Sequence, residues 1–148
     1  MAEITLEREF AVTPERLFQA LSQRAELVRW WGHDGWTITD ETIDFSRPGS
    51  WFADMRSDEG NRYKLSGQVT HVRPPQSIGF TWAWHDEEDR RGPESHVTFT
   101  VSESGVGARL IVHHQELATE DIAAQHARGW AGPLGRLSRH LHQENETT

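Results

Sequence analysis

The sequence predicts an α+β fold: an antiparallel sheet of about seven strands closed by one long C-terminal helix. Three observations predict it. Apolar residues alternate with a period of two from Trp36 to His114, they recur at helical spacing from about Thr119 to Gln143, and a strand with two short helices precedes both.

In the opening "EITLEREF", Ile4, Leu6 and Phe10 fall on one face and Glu7 and Glu9 on the other, as in a half-buried strand. "TPERLFQAL" follows, with Thr13 as N-cap, Pro14 at the first helical position and Glu15 near the positive end of the helix dipole. A second short helix is predicted over "AELVRWW", where Leu27, Trp30 and Trp31 share a face and Gly32 stops the helix.

Turn signals then divide the alternating region into strands: "RPGS" at 47–50, "DEGN" at 58–61, "RPP" at 73–75, "HDEEDRRGP" at 85–93 and "SGVG" at 104–107. Strand parity groups Ile43 and Phe45 with Glu41, Trp51 with Met55, and Tyr63, Leu65 and Val69 with His71. Phe80, Trp82 and Trp84 form a further row, as do Val97, Phe99 and Val101, and Leu110, Val112 and His114. These rows make one apolar face, which must be covered. The cover is the C-terminal helix, whose stripe runs through Ile122, His126, Trp130, Leu134, Leu137 and Leu141. Within it Gly129, Gly132 and Gly135 each cost about 1 kcal/mol relative to Ala and Pro133 about 3 kcal/mol, so a kink or break is predicted near Gly132.

The 148 residues suit one domain, assigned to 1–143, with residues 144–148 expected to be a disordered tail. A net charge of -8 repels a phosphate backbone, so nucleic acid is not an expected partner. The absence of cysteine excludes disulfides, thiolate metal sites and Cys nucleophiles. No apolar run resembles a signal peptide or a membrane span, and a cytoplasmic protein that does not enter membranes is expected.

The order of elements is that of the helix-grip fold. The stretches "TPERLFQAL", "RWWG", "RPGSWF", "GQVTHVRPPQSIGFTW", "HVTFTV", "ARLIVHH" and "ARGWAGPLGRL" resemble successive signatures of the family related to the C-terminal domain of the activator of Hsp90 ATPase, within the START-like or SRPBCC superfamily. That resemblance implies a curved sheet wrapped around the long helix, with a cavity between them for small apolar molecules. Similar proteins commonly carry a histidine at the position of His114. The eukaryotic co-chaperone has a separate Hsp90-engaging domain for which this chain has no room, so Hsp90 is not an expected partner.

The chemistry points the same way. Adjacent His113 and His114 fall on opposite faces of a strand, no H-E-x-x-H helix occurs, and no metal is expected. Phosphate-binding motifs are absent, so neither ATP, NAD nor another cofactor is expected. No G-x-S-x-G elbow occurs, and Ser66 before Gly67 reads as a strand residue. The acidic run Asp86 to Asp89, followed by Arg90 and Arg91, reads as a solvated hairpin tip.

Seven tryptophans are hard to pack solidly in one small core, and a cavity relieves that problem. The lining is expected among Trp31, Trp36, Trp51, Met55, Tyr63, Trp82, Phe99, His114, His126 and Trp130, with Glu41 a further polar candidate. In "VRWWGHDGW", Trp30 is predicted to anchor the helix pair, with Trp31 and Trp36 at the cavity mouth. The function expected is binding of a small apolar or aromatic molecule by a monomer or homodimer. An enzyme of the same fold using His114 or Glu41 as acid or base, and a co-chaperone acting through its surface, are the alternatives.

Overall fold

The computed structural model describes residues 2–146. Strand β1 (Ala2–Phe10) leads into helices α1 (Pro14–Ser22) and α2 (Arg24–Trp30). Six strands follow, β2 (Thr37–Glu41), β3 (Gly49–Arg56), β4 (Arg62–Arg73), β5 (Ser77–Trp84), β6 (Ser95–Ser104) and β7 (Gly107–Leu117), and then helix α3 (Glu120–Glu146). The strands make one curved antiparallel sheet in the order β1-β7-β6-β5-β4-β3-β2. The chain therefore returns to its own first strand; α1 and α3 pack on the apolar face of the sheet, and α2 packs against both helices.

Local chemistry sets the helix boundaries. The Thr13 hydroxyl accepts from Arg16 N–H at 3.1 Å, and Pro14 occupies the first turn, where its missing donor is harmless. Thr119 does the same for α3, its hydroxyl accepting from Ile122 N–H at 3.1 Å. Helix α2 ends one residue earlier than predicted: Trp31 is extended at φ -65° and ψ 138°, and Gly32 turns the chain at φ 89°. The guanidinium of Arg136 on α3 then donates to the carbonyls of Arg29 (3.1 Å), Trp31 (2.9 Å) and His33 (3.2 Å). The Arg29 carbonyl is one the helix end cannot satisfy itself, the His33 carbonyl also accepts from Trp36 N–H at 3.1 Å, and one side chain thus fastens the end of α2 and its loop to α3.

Three further expectations are corrected. Strand β2 stops at Glu41, so Ile43 and Phe45 do not share a strand face with it; both are buried in the irregular segment beyond. There Phe45 N–H bonds the Ser22 carbonyl at 2.9 Å instead of a neighbouring strand. His71 does not face inward with Val69, because the β4–β5 register shifts between them. Its ring bonds Ser77 Oγ at 3.1 Å on the outer face. Helix α3 has no break near Gly132: it runs from Glu120 to Glu146 with Pro133 inside. Packing of Trp130, Leu134, Leu137 and Leu141 into the core outweighs the helix-breaking residues. Of the expected tail, 147 and 148 lie outside the described residues, while 144–146 continue α3.

Close approaches explain two glycines. A side chain at Gly67 would collide with the Thr81 carbonyl, over which Trp51 of β3 reaches to donate its indole N–H at 3.2 Å. At Gly132 it would collide with the His33 ring, so that glycine lets the α2–β2 loop lie against α3.

Candidate ligand cavity

Between α3, the α2–β2 loop and strands β3 to β5 lies a cavity of about 220 Å³. Its walls are Trp31, Gly32, Trp36, Met55, Leu65, Trp82, Trp84, Gly129, Trp130 and Pro133, with His33, Gln125 and His126 as polar members. The pattern follows from the elements. Met55, Leu65 and Trp82 project from the apolar face of the sheet, while Gln125, His126, Gly129, Trp130 and Pro133 share one face of α3 at spacings of one, three and four.

Trp31, Trp36, Met55, Trp82, His126 and Trp130 of the expected set line this cavity; Glu41, Trp51, Tyr63, Phe99 and His114 do not. Glu41 is committed elsewhere, its carboxylate accepting from the Arg24 guanidinium at 2.9 Å and from Ile43 N–H at 3.0 Å. Trp51 and Phe99 are core residues. Tyr63 lies behind the wall, stacked on Trp36 with ring centroids 4.4 Å apart and planes within 7°. Leu65 and Trp84 belong to the inward parity rows and were legible there; Gln125, Gly129 and Pro133 follow from the helical face of His126. Nothing local marks His33.

The tryptophan pair divides differently from the expectation. Trp30 is fully buried and donates its indole N–H to the Ala20 carbonyl at 2.9 Å, anchoring α2 to α1. Trp31 is not at the rim: at 3% exposure it is the cavity floor, in ring contact with Phe45, Trp51, Phe80, Trp82 and Trp130. Because Trp31 is extended, the helical angle between it and Trp30 no longer applies. Trp36, His33, Gln125 and the exposed Trp84 form the mouth.

His114 lies behind this wall, fully buried, with its ring 4.7 Å from that of His126. Its Nδ1 accepts from the Trp130 indole N–H at 3.2 Å, so Nε2 carries the proton and donates to Ser95 Oγ at 2.7 Å. Ser95 Oγ passes the chain on to the Trp82 carbonyl at 3.4 Å. Burial first, and then the neighbouring His126, push the His114 pKa down to about 3. It is a neutral, saturated ring that holds the back of the cavity and has no free atom to act as acid or base.

His126 contrasts with it. Burial lowers its pKa also, yet neither ring nitrogen has a hydrogen-bond partner among the described residues. The buried indole N–H of Trp82 is likewise unpaired, and Pro133 deprives the Gly129 carbonyl of its helical donor. The cavity is thus aromatic, with the unpartnered ring of His126 on its α3 side and the unpaired Trp82 indole N–H on the sheet side. No group of three His, Asp or Glu side chains suited to a metal ion occurs among the described residues.

A curved antiparallel sheet gripping a long helix over an aromatic cavity defines the helix-grip class. Residues 11–142 match the family described as "Activator of Hsp90 ATPase homolog 1-like protein", and the chain belongs to that family. Its structure is similar to that of an AHSA1 protein from Silicibacter pomeroyi, with TM-score 0.93 and 51% identity over 97% of this chain and 99% of that one. A protein from Nitrosomonas europaea (TM-score 0.78, 23% identity, 97% and 96% covered) and one from Arthrobacter aurescens (0.83, 20%, 95% and 86%) share the fold. No curated protein matches the chain. No helix among the described residues is long and apolar enough to cross a membrane.

Proposed function

We propose that the chain binds a small aromatic molecule carrying a polar group, in the cavity between the sheet and α3. The observation that carries this reading is the pairing of aromatic walls with the partnerless ring of His126. A neutral imidazole offers one donor and one acceptor, so it recognises a phenol, amide or carbonyl edge, while the indoles take the ring. Size limits the ligand. A cavity of about 220 Å³ exceeds the roughly 150 Å³ that admits benzene and falls short of the roughly 300 Å³ where drug-sized pockets begin. One or two rings fit, and a long lipid does not.

The test uses space at Gly129, where an added side chain meets nothing within 4 Å. Gly129→Leu fills the cavity from α3 and leaves the helix intact. A panel of one- and two-ring phenols and amides should quench the tryptophan fluorescence of the natural chain, and Gly129→Leu should lose that response. His126→Phe should weaken binding by about 5- to 10-fold, the loss of one hydrogen bond. A panel that leaves the emission of the natural chain unchanged, or quenches Gly129→Leu equally, would count against the reading.

A further inference from the structure

Because Leu65 faces the cavity, Ser66, the next residue along β4, faces the opposite side of the sheet. There its Oγ lies 2.7 Å from Nε2 of His85, and Nδ1 of the same ring lies 2.9 Å from Oδ1 of Asp89. His85 and Asp89 belong to the hairpin tip that joins β5 to β6, so chain segments distant in sequence meet here. The tip is held by the Asp89 N–H bond to the Asp86 carbonyl at 3.0 Å, with Asp89 at φ 64°.

The end members fix the direction of both hydrogen bonds. Lys64 Nζ donates to the two Asp89 oxygens at 3.1 and 3.3 Å, and this contact outweighs partial burial to hold the carboxyl below the usual carboxylate range. An ionised carboxylate only accepts, so Nδ1 is the protonated nitrogen in the neutral tautomer of His85 that this contact selects. Nε2 is then a free lone pair, and the Ser66 hydroxyl donates to it. Arg91, a donor only, adds Nε to the same Oγ at 2.8 Å and Nη2 to the Ser66 carbonyl at 3.1 Å and Glu94 at 3.1 Å. Its Nη1 has no partner among the described residues. The group borders a surface basin of about 360 Å³, walled also by Phe52 and Gln68.

We propose that Ser66, His85 and Asp89 form a nucleophile, its base and the acid that orients the base, making a second site that hydrolyses small carboxylic esters. The arrangement has the order such chemistry requires, with each neighbour within hydrogen-bond reach. Ser66 Oγ forms a bond to the ester carbonyl carbon as its proton passes to His85 Nε2. Charge develops on the carbonyl oxygen, beside the Arg91 guanidinium. The bond to the alcohol oxygen breaks, and that oxygen takes the proton from Nε2. Water then attacks the acyl-serine, giving a proton to Nε2; the carboxylic acid leaves, and Ser66 Oγ recovers the proton.

The test is covalent trapping of the full chain by a fluorophosphonate probe, with the adduct located by peptide mass spectrometry, and p-nitrophenyl acetate hydrolysis followed in parallel. The expected result is an adduct on Ser66, absent from Ser66→Ala, with His85→Ala slowing labelling and hydrolysis by about 100-fold. Tryptophan emission reports whether each variant is folded. The natural chain also decides alone, since its labelling should map to Ser66. No adduct, an adduct on another residue, or a His85→Ala rate within about two-fold of the natural chain overturns the proposal.

Discussion

Two serine–histidine pairs occupy opposite faces of one sheet, both at 2.7 Å, and their protons run in opposite directions. On the inner face His114 accepts a hydrogen bond from the Trp130 indole N–H and donates one to Ser95. On the outer face His85 donates a hydrogen bond to Asp89 and accepts one from Ser66. Tryptophan only donates and carboxylate only accepts, and that difference alone decides which serine is activated. The comparison teaches that a short Ser–His distance says little until the third partner is known. The inner pair is structural glue, and the outer pair is poised for chemistry.

Acid should separate the two faces most strongly. The folded pKa of His114, about 3, lies below its ordinary value of 6.5, so its contribution is complete above pH 6.5 and is lost as pH falls toward 3. That gap caps the effect at about 5 kcal/mol, and His126, lowered in the same direction, adds to it. Urea unfolding at a series of pH values should show a steep acid limb, and His114→Phe should flatten it. A limb unchanged by that substitution would show that the inner ring is not buried neutral.

Truncation comes next. His114→Ala leaves a hole in the core and strands the Trp130 N–H, so a loss of about 4 kcal/mol is expected in urea midpoints. His85→Ala should cost less, about 1 kcal/mol, because its ring, although only 10% exposed, lies on the outer face of the sheet, away from the apolar core. Equal losses would contradict the division into glue and chemistry. Smallest is Asp89→Asn, expected to slow fluorophosphonate labelling about 10-fold, or about 1.4 kcal/mol. Since Asp89 acts only through His85, its pH–rate profile should shift as well; a slower rate on an unmoved profile would mark a merely structural role.

Parity and helical spacing exposed most of the inner site in advance. Trp82 on β5 and His126 and Trp130 on α3 were readable because period two and period 3.6 each assign a side chain to a face. The same reasoning failed where regular geometry stops. Trp31 escaped its helix by one residue, Phe45 lay beyond the end of β2, and His71 sat past a register shift. The hairpin "HDEEDRRGP" read as a solvated tip, and ion pairs from Arg90 to Asp86 and Glu88 agree with that, but the reading missed what His85 and Asp89 meet on β4.

By itself the sequence determined the order of elements, the apolar face of the sheet and the helix that must cover it. These follow from local period and from the free energy of burying apolar surface, which need no knowledge of partners. Only the tertiary structure decided which polar groups are spent. Hydrogen bonds are directional and join residues far apart in the chain, so the commitment of His114 and the freedom of His126 arise only when α3 closes on the sheet. The Ser66–His85–Asp89 line arises in the same way, when the hairpin tip folds back over β4.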